Sequence, residues 1–537
     1  MLPRAETYDE LVGRFRWSVP DRYNIGADIC DRPADLAPDR AAIVEVDESG
    51  AARTCSFADL RSLSNRLANL LAAHGVAPGD RVGVLVPQST DTAMAHVAVL
   101  KLGAIAVPLF PLFGPDALEY RMAHCGMKAL ITNAEGAAKV APLRARLPAL
   151  QAVFTAGGTA GGAIDLHAAM AAESADFTPA DTAADDPAIL IYTSGTTGQP
   201  KGALHAHRVL PGHLPGVEMS HDLFPRAGDR IWTPADWAWI GGLLDVLMPA
   251  LHHGVPVVAR RWRKFTAEAA IDLMVRHGVR NAFLPPTALK TLRAARPEGR
   301  VDGLDLRSVA SGGETLGAEL IGWGERVLGV TINEFYGQTE CNMVVSSCAA
   351  VMPARPGCMG RAVPGHAVDV LDTDGAPASP GMLGDIAVRQ PDPVAFLRYW
   401  NDAEATAAKM RGAWLLTGDQ GIREADGWLR FVGRADDVIT SAGYRIGPGE
   451  IEDCLLQHPA VAMAGVVGKP DAARTEIVTA FVVVREGVEV DDALAVALAD
   501  HVRTRLAAHE YPREIVFVAD LPMTTTGKVI RRALREM

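Results

Sequence analysis

The sequence predicts an α/β fold: a large N-terminal region of two stacked α/β layers plus a small β-barrel-like unit, followed by a small α+β domain. Three observations carry this. Short apolar runs alternate with segments of helical period, which is the signature of βαβ units and a parallel sheet. From Gly360 to Val432 the segments become short and are separated by Pro-Gly, Asp-Gly and Gly-Asp turns. After Asp437 a fresh mixture of helical and extended patterns begins, and roughly a hundred residues suffice for a separate domain. At 537 residues the chain is too long for one core. The expected division is 1–434 and 435–537.

Each element has its own signal. Leu60, Leu63, Leu67, Leu70 and Leu71 keep a helical period, with Ser56 and Asp59 spaced as a capping box and Gly75 as a stop. Arg81 to Val86 reads as a buried strand, Asp91 to Leu102 as a helix and Ala104 to Leu109 as the next strand. Thr155 to Asp186 is rich in Gly, Ala, Thr and acidic residues without a sustained apolar period, so it is expected to run over the surface. It delivers the chain to a buried strand at Ala188 to Ile191. The alternation returns with a strand at Val257 to Ala259, a helix from Thr266 to His277 and a strand at Asn281 to Leu284. In the last domain, helices are expected over Pro448 to Leu456 and Asp491 to Leu506, and strands near Val461 to Val467 and Ala480 to Val484.

Composition excludes several classes. The formal charge of −12 argues against a general nucleic-acid binder, so a phosphate ligand must be held by local basic groups. Seven cysteines, without Cys-x-x-Cys or Cys/His ligand spacing, are expected as buried free thiols in a reducing cytoplasm. The N-terminus has no apolar signal core, and the most apolar run, Met94 to Phe110, is broken by Lys101, Gly103 and Pro108; no membrane span is expected and the localisation expected is cytoplasmic. A monomer and a homodimer both stay open.

The stretch with most chemistry is Tyr192-Thr193-Ser194-Gly195-Thr196-Thr197-Gly198-Gln199-Pro200-Lys201-Gly202, directly after the Ala188 strand. Glycines let backbone N–H groups point inward, while hydroxyls and an ammonium complete a cage for a polyphosphate. Alone, the same residues read more readily as a flexible hydroxyl-rich surface loop. The spacing differs from that of the Walker loop.

Further motifs decide between these readings: Ser311-Gly312-Gly313-Glu314, Phe335-Tyr336-Gly337-Gln338-Thr339-Glu340, Leu416-Thr417-Gly418-Asp419, Gly433-Arg434-Ala435-Asp436-Asp437 continuing to Gly443-Tyr444-Arg445, and Pro522-Met523-Thr524-Thr525-Thr526-Gly527-Lys528. In order and approximate spacing the set resembles the adenylate-forming, AMP-binding superfamily of acyl-CoA synthetases, over nearly the whole chain. Ala235-Asp236-Trp237-Ala238-Trp239 and Tyr399-Trp400-Asn401 are closest in look to the acetyl-CoA to medium-chain acyl-CoA synthetase branch. That resemblance implies a two-step ligase using ATP, Mg²⁺ and coenzyme A. The acid attacks the α-phosphorus to give an acyl-adenylate and pyrophosphate, and the CoA thiol then displaces AMP.

The resemblance also implies residue roles. Thr193, Ser194, Gly195, Thr196, Thr197 and Lys201 would hold the β- and γ-phosphates, and Glu340 would hold Mg²⁺. Gly313 and Glu314 with Glu334, Phe335 and Tyr336 would flank adenine, continuing through Gly337, Gln338 and Thr339. Asp419 would hold the ribose hydroxyls, and Arg434 and Arg445 would contact ribose and phosphate. Lys528, with Thr193 and Glu340, completes the catalytic set by offsetting charge in the adenylation step. The C-terminal domain is implied to be mobile about a hinge at Asp436, with Gly443 along the pantetheine tunnel. Taken singly, Asp419 reads as a turn residue, Tyr336 as core, and Lys528 and the arginines as solvated side chains.

Acetate-using members carry a tryptophan where this chain has Gly337, so the acyl pocket is expected to open to acids longer or bulkier than acetate: short branched, medium straight-chain or aromatic. Trp239 is expected to line the acyl or thiol passage, with core packing the alternative for it and more so for Trp237. Cys341-Asn342 and Ala238 depart from the family pattern close to that pocket. Cys341 has no basic partner in the motif and reads as packing. A stand-alone enzyme that loads a carrier protein is the nearest alternative. A P-loop ATPase lacks its spacing here, and a silent nucleotide-binding scaffold sits poorly with intact Lys201, Glu340, Asp419 and Lys528.

Overall fold

The computed structural model describes every residue except 160, 194–198, 314–315, 436, 442–443, 472–473, 507–510 and 525–527, and leaves undescribed the side chains at 440, 444, 445 and 450. Of the expected site, Ser194, Gly195, Thr196, Thr197, Glu314, Asp436, Gly443 and the Arg445 side chain lie outside the described residues. Two compact units are formed. The first comprises Met1–Pro356, Gly360–Ala367 and Arg389–Ala413; the second comprises Gly357–Met359, Val368–Val388 and Trp414–Met537.

The first unit holds the two α/β layers. Its early helix, Phe57–Ala73, starts where the capping box requires: Asp59 N donates to Ser56 Oγ at 3.1 Å and Ser56 N to Asp59 Oδ2 at 3.0 Å. It buries Phe57, Leu60, Leu67, Leu70 and Leu71, and ends before Gly75, whose φ of +78° suits only glycine. The next helix, Thr90–Lys101, begins on Ser89 and is almost wholly buried, its terminal ammonium matched by Asp31 at 2.6 Å and Asn65 at 2.8 Å.

These helices pack with an eight-stranded sheet in the order Arg398–Tyr399, Lys201–Ala206, Pro187–Thr193, Ile105–Pro108, Arg81–Leu85, Ala129–Asn133, Ala152–Ala156, Ile164–Asp165. A nine-stranded sheet runs Arg361–Ala362, Cys341–Ser346, Ile332–Gln338, Ser308–Gly312, Asn281–Phe283, Ile231–Trp232, Val257–Ala259, Ala41–Val46, Ala52–Ser56. Both sheets are parallel through their middle and turn antiparallel at a hairpin, Pro187–Thr193 with Lys201–Ala206 in one and Ile332–Gln338 with Cys341–Ser346 in the other; the nine-stranded sheet is antiparallel at its other edge too, where Ala41–Val46 pairs with Ala52–Ser56. Those two hairpins carry most of the expected motif residues of this unit.

One expectation is corrected. The stretch from Thr155 to Asp186 is not a featureless surface run: it contains the short strand Ile164–Asp165 and the helix Leu166–Ala171, capped by Asp165 and anchored by buried Leu166 and Met170. Two apolar residues four apart make one buried helical turn, too short for a period to show in sequence.

The second unit contains an antiparallel sheet, in which Val368–Leu371 pairs with Leu383–Arg389 and Trp414–Arg423 with Leu429–Arg434. A further sheet pairs Val461–Asp471 with Thr475–Val484, which is flanked by Ile439–Ser441 and by Glu514–Phe517 in parallel. Packing therefore groups the small β unit with residues 435–537. The division at 434 and 435 is one of expected motion and stands as a proposal.

Candidate active site

Thr193 and Lys201 face each other across the mouth of the loop 194–198, with Thr193 Oγ1 donating to Lys201 O at 3.4 Å. The base of the loop is fixed on both sides. Tyr120 Oη donates to Pro200 O at 3.0 Å, and Tyr192 Oη lies 2.8 Å from His124 Nδ1. Burial raises the Tyr192 phenol well above its ordinary range, so it stays neutral.

The strand Arg398–Tyr399 adds to Lys201–Ala206 with Tyr399 opposite Ala203. Lys201 Nζ then lies 5.3 Å from the Tyr399 ring centroid, and the Tyr399 hydroxyl donates to Glu340 Oε1. Glu340 is also held through its main chain, Phe396 N donating to its carbonyl at 2.9 Å. A cation, a phenol and a carboxylate only 7% exposed are thus brought together from three distant segments. In the sequence Tyr399 is marked only by its place in the aromatic stretch Tyr399-Trp400-Asn401. Among the described residues no three His, Cys, Asp or Glu side chains form a metal cage. A lone anchored carboxylate fits Mg²⁺, which takes one or two protein carboxylates and completes its shell with water and substrate phosphate.

The second hairpin supplies the other motif. Ser311 and Gly312 stand opposite Glu334 and Phe335 in parallel register. Buried Glu334 donates its N–H to Ser347 Oγ at 2.8 Å and accepts from Leu316 N at 3.3 Å, which ties the segment after exposed Gly313 to the sheet. Phe335 and Tyr336 are buried. Gln338 pairs with Cys341 and accepts from Lys409 Nζ at 3.0 Å, leaving Thr339 and Glu340 at the hairpin tip.

Gly337 does not face empty space. A Cβ there would lie 2.4 Å from Met343 N and 2.6 Å from both Asn342 Cα and Asn342 Oδ1. The ladder is irregular between Tyr336 and Gln338, and Met343 adopts a φ of +55°. Room expected from a missing tryptophan is therefore filled, on this side, by the neighbouring strand. Trp239 is partly buried against Phe110 and Phe113, with ring centroids 5.3 and 6.3 Å away, whereas Trp237 is 1% exposed and belongs to the core. Asp236 accepts from Ala238 N at 2.8 Å, and burial pushes its carboxyl up to about 6. Cys341 is buried, as a packing residue would be.

The remaining expected residues belong to the second unit. Asp419 is buried, stands opposite Arg434 in the ladder, and lies 3.7 Å from Arg434 Nη1. Lys528 is exposed; its N–H donates to Thr524 Oγ1 at 3.0 Å and its carbonyl accepts from Thr524 N at 2.7 Å. Just beyond it, Arg531 Nη2 bonds both Glu452 oxygens at 2.8 and 2.7 Å, and Arg535 reaches Asp437 at 2.8 Å.

Comparison with known proteins matches residues 30–400 to the AMP-binding enzyme family and 450–528 to the AMP-binding enzyme C-terminal domain. An acyl-CoA ligase of Bacillus subtilis is 34% identical over 96% of this chain and 96% of its own length. The acetyl-coenzyme A synthetase of the same organism is 33% identical, covering 99% of this chain and 95% of its own. Among solved structures, an anthranilate CoA ligase in complex with anthranoyl-AMP superposes with a TM-score of 0.87 at 29% identity, over 96% of this chain and 98% of that one.

Proposed function

The chain belongs to the AMP-binding enzymes and is an AMP-forming acid–thiol ligase of the acyl-CoA synthetase family; from that premise we propose that it activates a carboxylic acid longer or bulkier than acetate and transfers the acyl group to CoA. The observation that supports this most is the convergence of Lys201, Tyr399 and Glu340 beside the loop that begins at Thr193. A carboxylate is a poor electrophile, so it attacks the α-phosphorus of ATP, expelling pyrophosphate. The work of the protein in that step is positioning and charge neutralisation. Thr193 and Lys201 grip the departing phosphates, Asp419 accepts from the ribose hydroxyls, Arg434 and Arg445 contact the nucleotide, and Lys528 bridges carboxylate and α-phosphate. Glu340, oriented by Tyr399, would hold Mg²⁺, which when bound offsets phosphate charge. The thiol of CoA then attacks the acyl carbonyl and AMP leaves.

Identity does not choose the acid, since relatives named for acetate and for anthranilate stand at 33% and 29%. Short branched, medium straight-chain and aromatic acids are the candidates, with the pocket bounded by Gly337 and Trp239. A screen of CoA-dependent AMP release over straight, branched and aryl acids identifies the substrate. Failure of every acid to stimulate pyrophosphate release overturns the reading. In the same assay Lys528→Ala is expected to abolish acyl-adenylate formation yet spare thioester formation from supplied acyl-AMP; equal loss of both half-reactions removes that role from Lys528.

A further inference from the structure

Behind the Gly337 turn lies a buried polar cluster that the reaction as described does not use. Asp245, 3% exposed, sits in the helical turn Leu243–Leu247, and Asn342 Nδ2 donates to its Oδ1 at 2.5 Å. Its other oxygen, Oδ2, receives no hydrogen bond among the described residues. That oxygen faces Gly241: a Cβ there would lie 3.6 Å from Oδ2 and 2.9 Å from the Phe283 ring, which in turn lies 5.3 Å from Phe335. His213 Nδ1 donates to Val209 O at 2.8 Å, so Nε2 carries the lone pair; it is buried without a partner, 4.0 Å from Asp245 Oδ1. Burial lifts the Asp245 carboxyl well above the usual range, against the Asn342 hydrogen bond, and lowers His213 to about 4. Burial thus favours the uncharged form of each.

A buried carboxyl with an idle oxygen and no cation is a poor packing unit, and an apolar side chain of that size would serve better. The cluster borders the proposed acyl pocket, because Asn342 is the residue that fills the space beside Gly337, its Oδ1 2.6 Å from where a Gly337 Cβ would stand. We propose that Asp245, oriented by Asn342, is a specificity-determining residue of the acyl pocket and selects acids that carry an uncharged hydroxyl or aromatic amine over their unsubstituted parents. The proposal rests on the acyl-CoA synthetase reading of this site. A neutral carboxyl both donates and accepts, as do a hydroxyl and an aryl amine. A second carboxylate on the substrate would find no cation, and an aliphatic ammonium would lose its water to a neutral partner. Phe283 and Phe335 supply the apolar walls.

The test compares kcat/KM by AMP release for matched acids: benzoate against its ring-hydroxy and ring-amino isomers, and hexanoate against its hydroxy isomers. A dicarboxylic and an ω-amino acid of equal length complete the panel. At least one hydroxy or arylamine acid is expected to exceed its parent about tenfold or more, since a site built to bond a polar group rejects the analogue lacking it. Asp245→Leu is expected to lower that ratio at least tenfold; Asp245→Ser, which leaves space, serves if the leucine variant does not fold. Preference for the parent, the dicarboxylate or the ω-amino acid overturns the proposal, as does a ratio that neither substitution moves. If plain acids are turned over while the ratio stays put, only the role of Asp245 falls. If no acid releases AMP, the reading of the whole site falls with it.

Discussion

Tyr399 shows how much one hydroxyl can carry. Its ring lies beneath Lys201 and its oxygen orients Glu340. Tyr399→Phe keeps the ring and removes the bond, which for a charged acceptor contributes about 1.5–3 kcal/mol. Adenylation, followed by ATP–pyrophosphate exchange, is therefore expected to slow roughly ten- to a hundredfold in kcat/KM; an unchanged rate would mean that Glu340 is oriented by other groups. Asp236 makes a prediction of a different kind. Burial lifts its pKa from 3.8 to about 6, so its favourable contribution is complete below pH 3.8 and is lost as pH rises through about 6. Asp236→Asn is expected to raise Tm at pH 8 and leave it unchanged near pH 3.5, a contrast that thermal melts at the two pH values check. Lys201 and Glu340 were legible in the sequence because their motifs are contiguous. Tyr399 was not legible as a site residue, because an aromatic in a short strand most often packs and only its register against Ala203 gives it a role.

Elements that depend on neighbours in sequence were the most legible. Ser56 and Asp59 predicted the start of Phe57–Ala73, since a cap acts within three residues; in the structure Thr266 caps Ala267–Arg276 in the same way. The short helix Leu166–Ala171 leaves no period in the sequence, because it has no second turn. The last helix, Arg531–Arg535, is short and is held by fully buried Leu534, packed with Val467, Phe481 and Leu521, and by charge, through Arg531 on Glu452 and Arg535 on Asp437. Arg531→Ala removes the bidentate partner of the largely buried Glu452 carboxylate, which keeps its bond from Val466 N at 2.8 Å, and is expected to cost about 2 kcal/mol, less than a fully buried pair because the guanidinium keeps some solvent. A lowered urea midpoint at unchanged m-value reads this out; an unmoved midpoint would show the pair to be fully solvent-screened.

On the scale of the whole molecule, the chain is proposed to serve two half-reactions by moving one domain about Asp436. The residues on either side are themselves bonded: Ala435 N donates to Gly418 O at 2.9 Å, and Asp437 N and Val438 N donate to Arg434 O at 3.0 and 2.9 Å. Asp436→Pro is expected to leave adenylation intact and to abolish thioester formation; two unaffected half-reactions would exclude a hinge there. The sequence by itself determined the reaction class, the succession of the α/β layers and the choice of phosphate, magnesium and ribose candidates, because short motifs, each ambiguous alone, stand together in an order and spacing that resemble one family. Only the tertiary structure decided that Gly337 is crowded by Asn342 and Met343, that Tyr399 joins Lys201 to Glu340, and that Asp245 meets Asn342 in the interior. Those contacts are made by strands and helices far apart in the chain, and the pairing register and burial that create them leave no mark on the composition or spacing of either partner.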